Sequence, residues 1–235
     1  MTDNEKKHRQ TKKLTFPRRR LIRALLKAGI DLGSELLLDY RVEGQENMPE
    51  GGPLLIVGNH FHFLDTIAPI HVTPYSPEFI GDAIMPMAPW HMKIFPRLWQ
   101  TLQIRQGTAN LESLRLAEQL LAQNGVLALF PQGHVQKPPL VKPLPGAAFL
   151  ALRSRARILP IGTYSEDNWN IFGSLGKKRR RARVISRIGK PFGPLLKPDS
   201  PIPGRNEVNA AGEEIMRRIA ELLPAHARGP YGQEA

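Results

Sequence analysis

Leu54-Leu55-Ile56-Val57-Gly58-Asn59-His60-Phe61-His62-Phe63-Leu64-Asp65 decides how the rest of the chain is read. Residues 54–57 are a short apolar run after Pro53, the pattern of a strand buried on both faces. Polar and aromatic residues follow at once, and residues 65–71 read as a helix. A strand that runs directly into a helix is the building unit of a layered α/β sheet.

Outward from this segment the alternation recurs. Strands are predicted at 78–80, 126–130, 158–161 and 184–188, and helices at 107–123, 146–153 and 206–223. In the 107–123 helix Leu111, Leu114, Leu116, Leu120 and Leu121 share a face, and Asn124-Gly125 closes it with a C-cap signal. Residues 131–145 form a proline-rich loop. Pro160 places the 158–161 strand at a sheet edge or a strand end. The expected fold is a single α/β layered domain over residues 39–223 with a mostly parallel central sheet.

The termini read differently. Residues 1–16 are polar and basic, a disordered arm. Pro17 opens a helix to residue 38 whose apolar positions include Leu21, Ile22, Leu25, Leu26 and Ile30. Arg18, Arg19, Arg20, Arg23 and Lys27 crowd its first half, and a basic amphipathic helix of this kind reads either as a membrane-surface element or as a helix packed on the body with a solvated basic face. Residues 224–235 are small and polar and read as a frayed tail.

The net charge of +12 over 235 residues is concentrated in two patches. Residues 1–28 hold ten Lys/Arg and two acids, and residues 177–190 hold eight Lys/Arg and no acid. The remainder is slightly acidic. Such patches suit anionic partners, a membrane surface above all. The absence of cysteine excludes disulfides, thiolate catalysis and a thiolate zinc site. The longest uncharged run, residues 119–136, is interrupted by Gln, Asn, Gly and Pro, and no secretory signal is visible, so the expected location is cytoplasmic and peripheral on the membrane surface.

The chemistry sits after the 54–57 strand. A histidine at a strand end faces the crevice where α/β sheets bind ligands. Asp65, five residues beyond His60, can fold back across a helix start and accept the imidazole N–H. That contact fixes the tautomer and leaves the other ring nitrogen free as a base. Such a pair suits deprotonation of an alcohol that attacks a thioester directly, without a serine nucleophile.

The order of landmarks resembles the family of glycerophosphate and lysophosphatidic acid acyltransferases over about residues 40–195. Val42-Glu43-Gly44-Gln45-Glu46-Asn47-Met48-Pro49 looks like its lead-in, and Asn59-His60 through Asp65 matches its N-H-x4-D motif. Ile104-Arg105 lies where the family carries an apolar residue and an arginine. Phe130-Pro131-Gln132-Gly133 resembles F-P-E-G. Gly146-Ala147, Leu159-Pro160-Ile161 and Ile188-Gly189-Lys190-Pro191 resemble later segments. The resemblance implies His60 as general base and Asp65 as its orienting partner. It further implies acceptor binding by Arg105, Gln132 and Gly133, with Asn59, Phe130 and Pro131 in support. The implied donor is acyl-CoA or acyl carrier protein, a co-substrate with no bound cofactor, and the implied acceptor is a glycerophospholipid-like alcohol. Arginine suits a phosphate through bidentate, charge-assisted hydrogen bonds. The departures are Gln132 for glutamate, His134 and Val135 for threonine and arginine, and Leu144 for lysine.

Two other classes fit parts of the pattern. His60, His62 and Asp65 have an H-x-H-x-x-D spacing that His91 or His134 would complete as the metal site of a hydrolase. Lys177–Arg183 would suit nucleic acid. No stacking aromatics interleave with that charge, however, so no nucleic-acid partner is expected.

Overall fold

The computed structural model describes residues 16, 18–82, 90–104, 111–167, 180–195 and 202–232. Seven strands among them form one sheet: β1 (Leu38–Glu43), β2 (Leu54–Gly58), β3 (Glu78–Asp82), β4 (Leu102–Ile104), β5 (Val126–Leu129), β6 (Arg157–Tyr164) and β7 (Ala182–Ile188). Their order is β1-β7-β6-β2-β5-β3-β4. Every pairing is parallel except β6 with β7. The helices are α1 (Arg20–Leu37), α2 (Phe63–His71), α3 (Trp90–Trp99), α4 (Leu111–Ala122), α5 (Pro145–Arg153) and α6 (Arg205–Ala220).

β2 is buried along its whole length because both of its faces are covered. Leu55 and Val57 point into a core made with α4, α5 and α6, through residues such as Leu120, Leu150 and Ile215. Leu54 and Ile56 point to the opposite face, against Ile70, Phe79 and Trp99. The alternation of side chains along a strand sends neighbours to opposite layers. A continuous apolar run is therefore what a central strand of a three-layer sandwich requires.

Several expectations are corrected. The N-terminal helix was expected to reach residue 38, but α1 stops at Leu37 and Leu38 opens β1, whose register pairs it with Ala182. None of β1, β4 and α3 was expected as an element. Pro160 lies inside β6, between β2 and β7, rather than at an edge. Its carbonyl accepts from the Gly189 N–H, so its missing N–H faces the same side. The β7 ladder begins only at Ile161, so no ladder bond is lost there. Residues 224–232, expected to be frayed, form two 3-10 turns that bury Ala227 and accept the Leu140 N–H on the Ala227 carbonyl. The Asn124-Gly125 stop is as expected, with Asn124 left-handed at φ 57° and the Gly125 N–H returning to the Leu120 carbonyl.

α1 is amphipathic in the opposite sense to a basic surface helix. Arg23 is fully buried and forms a two-pronged pair with Glu78, at 2.5 and 2.7 Å. It also donates to the Trp99 carbonyl and lies over the Trp99 ring. Arg18 reaches the same carboxylate, and Lys27 donates to the Ile70 carbonyl at 2.6 Å. The face left in solvent is apolar: Leu21, Leu25, Leu32 and Leu36 are 75, 67, 57 and 64% exposed. Spacings of four, seven and four put them on one stripe.

Candidate active site

β2 delivers the site by ending where α2 begins. Asn59, buried, continues the β2–β6 contact with its side chain, accepting the Thr163 N–H and donating to the Thr163 carbonyl, both at 2.8 Å. This fixes the residue before His60 against β6. Behind it the hydroxyls of Thr163, Ser186 and Tyr40 form a buried chain, 2.8 and 2.7 Å apart. These three residues carry no motif. Their only sequence signal is a polar residue on the buried face of a strand, as at Ser186.

α2 opens with a reciprocal cap. The His62 Nδ1 accepts the Leu64 N–H at 3.0 Å, and Asp65 Oδ2 accepts the His62 N–H at 2.6 Å. The same carboxylate oxygen accepts the Phe61 N–H. Asp65 thus folds back across the helix start as expected, and it holds the loop that carries His60. The His60 Nδ1 lies 4.0 Å from Asp65 Oδ2, an electrostatic contact rather than a formed hydrogen bond. It has no hydrogen-bond partner among the described residues. Burial pushes the Asp65 carboxyl above its ordinary value, against the pull of His60 and of the two backbone N–H groups.

The Phe130-Pro131-Gln132-Gly133 turn closes the other side. The Gly133 N–H returns to the Phe130 carbonyl at 2.9 Å, with Gly133 at φ 79°. That conformation favours glycine, and a Cβ there would also meet the Leu144 side chain. Phe130 stacks on the His60 ring with centroids 4.4 Å apart. Gln132 Oε1 accepts the His60 backbone N–H at 2.8 Å, and the Gln136 N–H donates to the His60 carbonyl at 3.0 Å. The structure therefore brings Asn59, His60, Asp65, Phe130, Pro131, Gln132 and Gly133 to one place. Arg105 lies outside the described residues, as do 1–15 and 177–179.

His62 does not take the part of a metal ligand in this arrangement, because its Nδ1 caps α2. No three His, Asp or Glu side chains converge among the described residues. The His91 side chain lies outside them, and His134 is exposed. Burial, and then the neighbouring His60, pulls His62 down to about 4. Its folded value lies below the unfolded one near 6.5. The unfolded chain therefore binds the extra proton, and the stability contributed by neutral His62 is present above about pH 6.5 and lost as pH falls toward 4. His62→Asn keeps a capping side chain without this titration. Urea midpoints from pH 7 to pH 4 should fall more steeply for the wild type than for the variant. Parallel curves would show that His62 does not titrate in that range.

A family model described as Acyltransferase matches residues 39–164. No curated relative matches the sequence. Among solved structures, the fold is similar to that of PlsC from Thermotoga maritima, a 1-acyl-sn-glycerophosphate (LPA) acyltransferase. The TM-score is 0.59 at 18% identity, and the match covers 89% of this chain and 83% of that one.

Proposed function

This chain belongs to the acyltransferase family, and from that premise we propose that it moves a fatty acyl group from acyl-CoA or acyl carrier protein to the hydroxyl of a lysophosphatidic-acid-like glycerophosphate. The observation that carries this reading is the placement of His60. It stands at the C-terminal end of β2, with Asp65 behind Nδ1 and Phe130 stacked on the ring. The ring nitrogen turned away from Asp65 takes the proton of the acceptor hydroxyl as its oxygen attacks the thioester carbonyl. The Asp65 charge offsets the imidazolium that forms. Arg105, one residue beyond β4, is proposed to hold the acceptor phosphate. Incubation of the purified protein with labelled acyl-CoA or acyl carrier protein and lysophosphatidic acid tests the reading. Phosphatidic acid is the expected product, and its absence with both donors would sink it.

The acceptor is an amphiphile, and the exposed stripe of α1 supports work at a lipid surface. No helix among the described residues is long and apolar enough to cross a membrane. Ile94 and Leu98 of α3 are also exposed, and α3 packs against α1. The basic groups contribute less than their number suggests. Within the 177–190 patch Arg180, Arg183 and Arg187 each pair with an acid, at Asp167, Asp39 and Glu43. The proposed attachment is therefore peripheral and chiefly apolar. Burying a leucine side chain contributes about 1.5–3 kcal/mol. Leu21→Ser with Leu25→Ser should release most of the protein from vesicles of phosphatidylcholine and phosphatidylglycerol in a flotation assay. Wild-type binding should largely persist in high salt. Retention of the double variant would remove α1 from the contact.

A further inference from the structure

Gln132 has one end of its side chain engaged and the other free. Its Oε1 accepts the His60 backbone N–H at 2.8 Å. This orients the carboxamide and makes Nε2 the donor end. The residue is 2% exposed, and Nε2 has no hydrogen-bond partner among the described residues. Folded proteins seldom leave a buried N–H unpaired, and a functional site is one of the places where they do. This donor belongs to the residue that holds the backbone of the general base. One hydrogen bond therefore ties this residue to the backbone of the base, with the Phe130 ring against the imidazole on the same turn.

We infer that Gln132 is a catalytic donor whose carboxamide N–H takes the thioester carbonyl oxygen as negative charge builds on it. The inference rests on the acyl-transfer reading above and assigns a second group to it. The acceptor oxygen bonds to the carbonyl carbon, and its proton passes to the free ring nitrogen of His60. The carbonyl π pair moves onto oxygen, where the Gln132 N–H stabilises it. When that pair returns, the C–S bond breaks and the thiolate takes the proton from His60. A neutral, buried, pre-oriented N–H suits charge that appears only in the transition state. It suits a phosphate less well, since a phosphate carries its charge throughout and favours cationic partners.

The experiment compares Gln132→Glu and Gln132→Met in the full chain, using palmitoyl-CoA with either lysophosphatidic acid or hydroxylamine as nucleophile. Glutamate keeps an oxygen for the His60 N–H but removes the donor. Removing one such donor lowers kcat about a hundred- to a thousandfold. Gln132→Glu should show that loss with both nucleophiles, because the oxyanion forms whichever one attacks, and the KM for lysophosphatidic acid should be unchanged. As pH falls and the introduced carboxyl takes up a proton it regains a donor, so the gap to the wild type should narrow. Wild-type kcat in Gln132→Glu with loss only in Gln132→Met would overturn the inference and leave Gln132 as a support of the His60 backbone. A loss confined to the KM for lysophosphatidic acid would overturn it in favour of acceptor binding. A wild-type protein that acylates neither nucleophile would instead sink the acyl-transfer reading.

Discussion

His60→Ala is expected to lower acyl transfer about a hundred- to ten-thousandfold, the range of a positioned general base, without unfolding the protein. The fold should survive because the loop around His60 is held by groups the substitution leaves in place. The His60 backbone N–H still reaches Gln132 Oε1, its carbonyl still accepts from Gln136, and Asn59 still grips Thr163. Asp65 still caps α2 through the Phe61 and His62 N–H groups. The loss should lie mainly in kcat, since the imidazole acts on a proton that moves only in the transition state. Single-turnover kinetics with labelled acyl-CoA, beside near-ultraviolet circular dichroism, separate the two properties. A folded variant with near-normal turnover would remove His60 from the mechanism.

Glu78→Ala should cost about 3–5 kcal/mol of stability, the range for removing one partner of a buried ion pair. Arg23 is fully buried, and without Glu78 its guanidinium keeps, among the described residues, only the Trp99 carbonyl and the indole face. Arg18 loses the same carboxylate. The charge cannot escape by deprotonation, because guanidinium stays protonated in proteins. Glu78 opens β3 and Arg23 lies in the first turn of α1, so the damage should concentrate where α1 meets the sheet. Urea denaturation measures the total. Hydrogen exchange should show α1 and β3 losing protection before β2 and β5. A loss below about 1 kcal/mol would match a solvent-exposed pair and would contradict the burial of this one.

Much of the site was legible because its chemistry is local in sequence. His60 and Asp65 are five residues apart across one strand-to-helix turn, so the spacing allowed the carboxylate to fold back toward the imidazole, and the landmarks that follow in the sequence favoured that pairing over a simple helix cap. The Phe130-Pro131-Gln132-Gly133 turn is equally local: proline and glycine select its backbone, and it follows a buried strand. What spacing did not contain is the contact between the two segments. The hydrogen bond from His60 to Gln132 spans 72 residues and exists because β2 and β5 are adjacent in the sheet. The Tyr40–Ser186–Thr163 hydroxyl chain likewise joins three strands far apart in sequence.

The fold divides along the same line. Residues 54–57, 126–129 and 158–161 announced themselves as strands by composition, since a strand covered on both faces must be apolar throughout. β1 did not, because Leu-Asp-Tyr-Arg-Val-Glu at a sheet edge exposes alternate residues and continues directly from a helix. The antiparallel direction of β7 also carries no local signal, for strand direction depends on the route of the connecting chain. α1 shows the division most sharply. Its sequence established that one face is charged and the other apolar, because helical spacing alone sorts them. Which face turns inward was decided by Glu78, a buried carboxylate on β3 that draws in Arg18 and Arg23 beside Leu26 and Ile30 and leaves Leu21, Leu25, Leu32 and Leu36 outside.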